Sequence, residues 1–181
     1  MRPDILTVEG NYFDFLYPET SPFSIDAVAH ALSNICRFGG HTLAFYSVAQ
    51  HSVLVSRVVP EEHAMAGLLH DASEAFVGDV VTPLKMLLSE YRAIEERVEK
   101  VILSKFGIIG IPECVKYADL VALRTEQRDL LPMHATERWG LTAHIAPLRK
   151  RIAALAPKEA KVLFLARYRE IVGDKKRLEI E

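Results

Sequence analysis

Cysteine is scarce in this chain. Cys36 and Cys114 are the only two, in unrelated contexts and in no C-x-x-C pair. That removes a thiolate zinc knuckle and a redox dithiol, and both are read as buried free thiols. Long apolar runs are missing too. No stretch approaches the ~20 residues that a membrane span needs, so no membrane partner is expected. The opening Met1-Arg2-Pro3-Asp4 is not followed by an apolar segment. No secretory signal is therefore expected, and a reducing, cytoplasmic location is the default. Charge of one sign is also absent, with 22 basic and 24 acidic residues and a formal net charge of −2. A dedicated binder of nucleic-acid polymers would carry a basic excess. A small anion held by two or three local cations remains compatible. There is no repeat, low-complexity tract or interior linker.

What is present is ordinary globular material: 181 residues, half of them apolar, enough for one domain with its own core. Residues 5–17 read as a hairpin, Ile5 to Val8 and Tyr12 to Tyr17 about a Glu9-Gly10-Asn11 turn. A lone hairpin is marginal and must pack on something. The pattern then turns helical over about 24–131. Ser24 is a candidate N-cap for a helix whose apolar positions run from Ile25 to Cys36, ended by Gly39-Gly40. A second helix fits Phe45 to Val59. A third starts at Pro60-Glu61-Glu62, where proline and acids suit a first turn, and runs into His70-Asp71. Pro83 opens a short helix at Leu84 to Leu88. Helices ending near Gly107 and running from Pro112 to about Leu131 follow. A C-terminal helical extension of about 133–173 ends at Gly173, and the charged tail beyond it is expected to fray. The fold class expected is mainly α, a helical bundle with a small N-terminal β-hairpin.

Chemistry concentrates in His70-Asp71-Ala72-Ser73-Glu74, followed by Gly78-Asp79 and Thr82-Pro83-Leu84-Lys85. On a helix, residues three and four apart are neighbours, so His70, Asp71 and Glu74 would share one side. The His-Asp pair follows Ala64 to Leu69, which is too apolar for a solvated face, and buried polar groups need partners. His51 and Asp119 are likewise embedded in apolar helices. Alone, His51 reads as a hydrogen-bonded core histidine, and Asp119 as a cap or the partner of an arginine. Together, His51, His70, Asp71 and Asp119 point to one divalent metal.

The order His, His-Asp, distant Asp resembles the HD-domain phosphohydrolases, whose HD helical bundle holds a divalent ion. The run from His70 through Lys85 is more closely similar to the bacterial HD-domain 5′-deoxynucleotidases, over roughly residues 25–125. Phage-encoded deoxynucleoside triphosphohydrolases look like near cousins. The resemblance implies His51, His70, Asp71 and Asp119 as metal ligands. It makes Glu74 the essential carboxylate, and Asp79 to Thr82 the lining of the nucleotide site. Arg37-Phe38 look like the family's Arg-Trp pair, with Arg37 orienting the phosphate and Phe38 packing near sugar and base. Phe replaces Trp here and the gap to His51 is about one residue shorter, which leaves base and sugar preference open. A mixed nitrogen–oxygen donor set suits Mn, Co, Fe, Ni or Zn better than Ca. Glu74 can take a proton from, or orient, a water beside such an ion. Arg37 and Lys85 are the cations assigned to the phosphate oxygens, although Arg37 could simply complement a helix C-terminus and Lys85 could be solvated.

The expected activity is release of phosphate from deoxynucleoside 5′-monophosphates. The second reading is a deoxynucleoside triphosphate triphosphohydrolase, in which Arg124, Arg128 and Lys116 could meet extra phosphates. A third is a regulatory nucleotide-binding protein with an inactive pocket. His63 and His70, seven residues apart, would lie ~10 Å apart on a helix, too far to share an ion. His134 and His144 are weak candidates for a second metal, and His41 for a place near the site. Glu95-Glu96-Arg97 reads as a solvated run and Trp139 as packed. The family tendency implies a homo-oligomer, a dimer or larger.

Overall fold

The computed structural model describes residues 2–132 and 140–178, with side chains to residue 173. His134 and Trp139 lie outside the described residues, as does most of the charged tail at side-chain level. The chain is mainly helical, with a two-stranded antiparallel hairpin at its start. The strands are shorter than the pattern suggested: β1 is Asp4–Leu6 and β2 is Tyr12–Asp14. Asp14 ends β2 because its carboxylate accepts from the Leu16 and Tyr17 amides at 2.7 and 3.1 Å. Phe13 faces inward and stacks on Phe76 at 3.8 Å, with Phe15 and Phe23 edge-on. The hairpin is thus docked through one aromatic plug, while Leu6, Val8 and Tyr12 stay exposed.

Helix α1 spans Ile25–Asn34, and Ser24 caps it by accepting from the Asp26 and Ala27 amides. It stops before the glycines do, because Ile35 turns extended and Cys36 pairs with Ser47. Helix α2, Val48–Val58, starts later than the apolar pattern does, since Ser47 supplies its cap. Pro60 ends it and a single 3₁₀ turn, Glu61–His63, leads into α3, Ala64–Leu69. The run expected as one helix then breaks. The Ala72, Glu74 and Ala75 amides bond three residues back, to Leu69, Asp71 and Ala72. This tighter turn separates α3 from α4, Glu74–Val77. Helix α5 is Thr82–Lys85, α6 Ser89–Lys105 and α7 Glu113–Leu130. Helix α8, Pro157–Leu178, passes through Gly173 rather than ending there. No described helix is long and apolar enough to cross a membrane.

The main core lies among α1, α2, α3, α6 and α8, and a smaller one joins α2 and α3 to α7 through Val55, Ala66, Val115, Ala118 and Ala122. Helices α2 and α3 approach so closely that a Cβ on Gly67 would stand 3.0 Å from Ser56 Cα. Helix α8 is tied to the same place, with Arg167 donating to the Ser56 hydroxyl and carbonyl at 3.2 and 2.9 Å. Residues 148–155 form an irregular strap. Arg128 holds the Leu148 carbonyl, Asp129 the Ile152 amide, and Gln50 both Ala153 and Leu155. These ties fix α2 against α7, and α2 and α7 carry the site. Cys36 and Cys114 are half-buried free thiols, less enclosed than expected.

Candidate active site

Three elements deliver one polar cluster. His51 comes from the middle of α2 and is fully buried. His70 and Asp71 come from the tight turn after α3, and Asp119 from α7. The His51 Nε2 atom lies 3.3 Å from His70 Nε2, 3.5 Å from Asp71 Oδ2 and 3.1 Å from Asp119 Oδ1. His70 Nε2 is 3.2 Å from Asp71 Oδ2. Donor atoms each about 2.1 Å from one ion stand roughly 3.0–3.4 Å apart in tetrahedral or octahedral geometry. The spacing and the two-nitrogen, two-oxygen donor set therefore fit a divalent cation. His51, His70 and Asp119 alone already bring their donors within 4.8 Å of one another.

Both rings are turned for this. A carbonyl or carboxylate oxygen can only accept, so each Nδ1 must carry the hydrogen. His70 Nδ1–H donates to the Gly67 carbonyl at 2.9 Å, and His51 Nδ1–H to Glu126 Oε1 at 2.6 Å. Both Nε2 atoms therefore face the donor cluster. Burial and Arg37 push the His51 imidazolium toward losing its proton. Glu126 and the Asp119 hydrogen bond outweigh them and raise its pKa to about 9. A ring so held takes a cation only in exchange for a proton, which makes ion uptake pH-dependent. Burial opposes the Asp71 charge, but His70, His51 and Arg37 hold its carboxyl well below the usual range.

Arg37 does not end a helix, so the dipole explanation of it falls away. It lies beyond α1, where the Arg37 amide bonds the Tyr46 carbonyl and Val48 the Ile35 carbonyl. A tight turn follows in which Phe38, Gly39 and Gly40 all have positive φ, 58°, 60° and 83°. The two glycines adopt this freely, whereas Phe38 is strained. The guanidinium points inward, 3.4 Å from Asp71 Oδ2 and 3.4 Å from Glu126 Oε2, with its side chain 12% exposed. The turn meets the next segment at Gly39, where a Cβ would stand 3.9 Å from a Val81 methyl.

Glu74 opens α4 and is 6% exposed, with Oε2 buried and without a hydrogen-bond partner. Burial, then Asp71 and Asp79, push its carboxyl well above the usual range, while Arg37 and Lys85 pull it down. Asp79 is half-buried and Thr82 exposed. Lys85 is neither free nor merely solvated: its ammonium donates to Glu95 Oε1 at 2.6 Å. Glu95, read from the sequence as part of a solvated run, also faces Tyr91, whose hydroxyl donates to the Gly78 carbonyl at 3.0 Å. His41 and His144 are exposed, and His63 is outside the cluster. Sequence reasoning missed Glu126 and Glu95. Glu126 could have been found seven residues after Asp119, two turns along the same helix face.

Known proteins are similar to this chain along most of its length. The uncharacterized protein YfdR of Escherichia coli (strain K12) is 40% identical over 169 residues, covering 92% of this chain and 94% of its own. An uncharacterized protein of Rhodobacter capsulatus is 29% identical over 179 residues, covering 89% and 91%. The family model described as 5′-deoxynucleotidase YfbR-like matches residues 38–129, from the strained Phe38 through the Asp119 helix. That family indicates an HD-domain phosphohydrolase, and the donor cluster agrees with a divalent ion as its cofactor. The chain belongs to the YfbR-like 5′-deoxynucleotidase family.

Proposed function

We propose that this protein is a metal-dependent phosphohydrolase that releases phosphate from deoxynucleoside 5′-monophosphates. One observation carries the reading. A four-donor cluster, an inward guanidinium and a buried unpartnered carboxylate meet at one place. Bound by His51, His70, Asp71 and Asp119, a divalent ion would lower the pKa of a neighbouring water and neutralise phosphate charge.

The chain's own groups supply the rest. Arg37 stays charged and is pinned from two sides, so it can meet a nonbridging phosphate oxygen without reorganising. Glu74 takes a proton from the attacking water as the new oxygen–phosphorus bond forms. The bond from phosphorus to the 5′ oxygen breaks, and the proton can pass to that departing oxygen. Phe38, Asp79 and Thr82 are the residues assigned here to sugar and base.

The triphosphate reading needs further cations. Of the three considered for it, Arg128 is bound to Asp129 and the Leu148 carbonyl and Lys116 to Glu113, while Arg124 meets Gln127 through one terminal nitrogen and keeps a buried Nε without a partner. A pocket that only binds has no use for Glu74, a buried residue whose Oε2 has no hydrogen-bond partner. The test is a panel of deoxynucleoside mono- and triphosphates with Mn²⁺ or Co²⁺, scored for orthophosphate against triphosphate, alongside Glu74→Gln. Orthophosphate from monophosphates is expected, with kcat falling about 10²–10⁴-fold in Glu74→Gln. Triphosphate as the main product, or unchanged turnover in Glu74→Gln, would overturn the proposal.

A further inference from the structure

We infer that Glu126 is a positioning residue that sets both halves of the site, orienting His51 toward the cation and Arg37 toward the phosphate. The inference rests on the reading above for what the two halves bind. Glu126 is on α7 and fully buried. Its Oε1 accepts from His51 Nδ1–H at 2.6 Å, and its Oε2 stands 3.4 Å from an Arg37 terminal nitrogen. The buried Tyr46 hydroxyl also faces it, short of a well-formed hydrogen bond. Among the described residues, this carboxylate touches a ring of the donor cluster and the inward guanidinium at once, without itself reaching the cluster.

Three consequences follow from ordinary chemistry. A neutral imidazole carries one hydrogen, so a carboxylate at Nδ1 leaves the lone pair at Nε2, facing the other donors. The Arg37 guanidinium is held between Glu126 and Asp71, which limits its rotation and presents it in one orientation. A buried carboxylate is tolerable only because both neighbours offset its desolvation. A glutamine of the same shape cannot serve both. Its carbonyl can accept from His51, but its amide then points hydrogens at Arg37; turned over, it presents hydrogens to His51 instead. The residues flanking Glu126 are engaged elsewhere, Thr125 by the Leu148 amide and Gln127 by the Thr142 hydroxyl.

The experiment measures two affinities on the full chain. Mn²⁺ binding to metal-stripped protein is followed by calorimetry, and substrate KM by phosphate release. Glu126→Gln should weaken Mn²⁺ binding, or raise KM, by between about ten- and a hundredfold, and Glu126→Ala should do both. In an Arg37→Met background, Glu126→Ala should still weaken Mn²⁺ binding but, with KM read at saturating Mn²⁺, should no longer raise KM, because its remaining effect on substrate passes through Arg37. A variant that melts earlier yet keeps both affinities would reduce Glu126 to a packing role and overturn the inference. So would a KM effect that survives in the Arg37→Met background. Should the Glu126 variants fail to fold, ¹⁵N-histidine NMR of zinc-loaded wild type decides. A hydrogen-bonded proton on His51 Nδ1 is expected, and a proton on Nε2 overturns the inference. The Mn²⁺ and NMR measurements need no turnover, so they stand apart from the choice of substrate. Unchanged Mn²⁺ affinity and KM in the Glu126 variants, with wild type hydrolysing monophosphates, sink only this inference.

Discussion

The site has two walls, and they are held differently. The wall made by α2 and α7 is closed. His51 and Glu126 are fully buried, each is bonded to the other, and Arg37 and Asp119 lock onto the pair. The wall made by Asp79, Thr82 and Lys85 is open. It follows Gly78 at a positive φ of 82°, uses a four-residue helix, and borrows Glu95 and Tyr91 from α6 to hold Lys85 and the Gly78 carbonyl. The closed wall is held by paired, buried groups, His51 on Glu126 and Arg37 on Glu126. The open wall is built from short and exposed backbone, where adjustment to a ligand costs little. Under the proposed function, the ion and the substrate would therefore be met by different kinds of structure.

The largest expected effect is on the closed wall. Asp119→Asn keeps the shape and removes a charge from the donor set. Because even residues behind a ligand change ion affinity by 10–100-fold, loss of a ligand should weaken Mn²⁺ binding by more than about a hundredfold. Turnover should fall with it, while Thr82→Ala on the open wall leaves Mn²⁺ binding within about threefold, since Thr82 lies outside the donor set. Calorimetry on stripped protein reads both. If the two variants lost ion affinity alike, the division between the walls would not hold.

That division also governs what the sequence made legible. His51, His70, Asp71 and Asp119 could be picked out because each polar residue interrupts an apolar helical pattern, and burial without partners is costly. The helices themselves were readable for the same reason, down to the Ser24 cap. What failed was local. The His70–Glu74 run looked helical, yet its amides bond three residues back instead of four, and no periodicity distinguishes those two ladders. Gly173 looked like a stop, but the helical pattern carries on through it. Glu126 was hidden because its partners come from α2 and from the turn after α1, far away in sequence. Glu95 was hidden by two charged neighbours that are indeed exposed.

On the open wall, Lys85 offers a sharper comparison of smaller size. Its ammonium has one carboxylate partner, Glu95, and both side chains are largely covered. If Lys85 serves the substrate, a phosphate must compete with Glu95 for it. Lys85→Met should then raise KM about tenfold, the equivalent of one charged hydrogen bond of ~1.4 kcal/mol. Glu95→Gln removes the competitor and should leave KM unchanged or lower it. Stability should shift by less than about 1 kcal/mol in either variant, as for other partly wet ion pairs. Steady-state kinetics separates the roles: if both variants raise KM equally, Lys85 is a strut between α5 and α6 rather than a phosphate ligand.

The smallest effect tests what keeps the closed wall closed. Asp129 follows Glu126 by three residues on α7 and ties that helix to the strap, bonding Arg128, Arg151 and the Ile152 amide. The Arg128 hydrogen bond, helped by the Ile152 amide and opposed by burial, holds its carboxyl below the ordinary 3.8. A depressed folded pKa means stability that is present above the unfolded value and lost as pH falls through the folded one. Wild type should exceed Asp129→Asn by about 1 kcal/mol or less at neutral pH, the pair with Arg151 being largely wet. The gap should hold down to about pH 5 and close as the pH drops below the ordinary aspartate value. Urea melts of both proteins in EDTA at pH 7, 5 and 3.5 measure it without interference from ion release. A gap that persists unchanged at pH 3.5 would mean that the strap is held by the shape of the Asp129 side chain and not by its charge. The rigidity of the closed wall would then owe nothing to this ion pair.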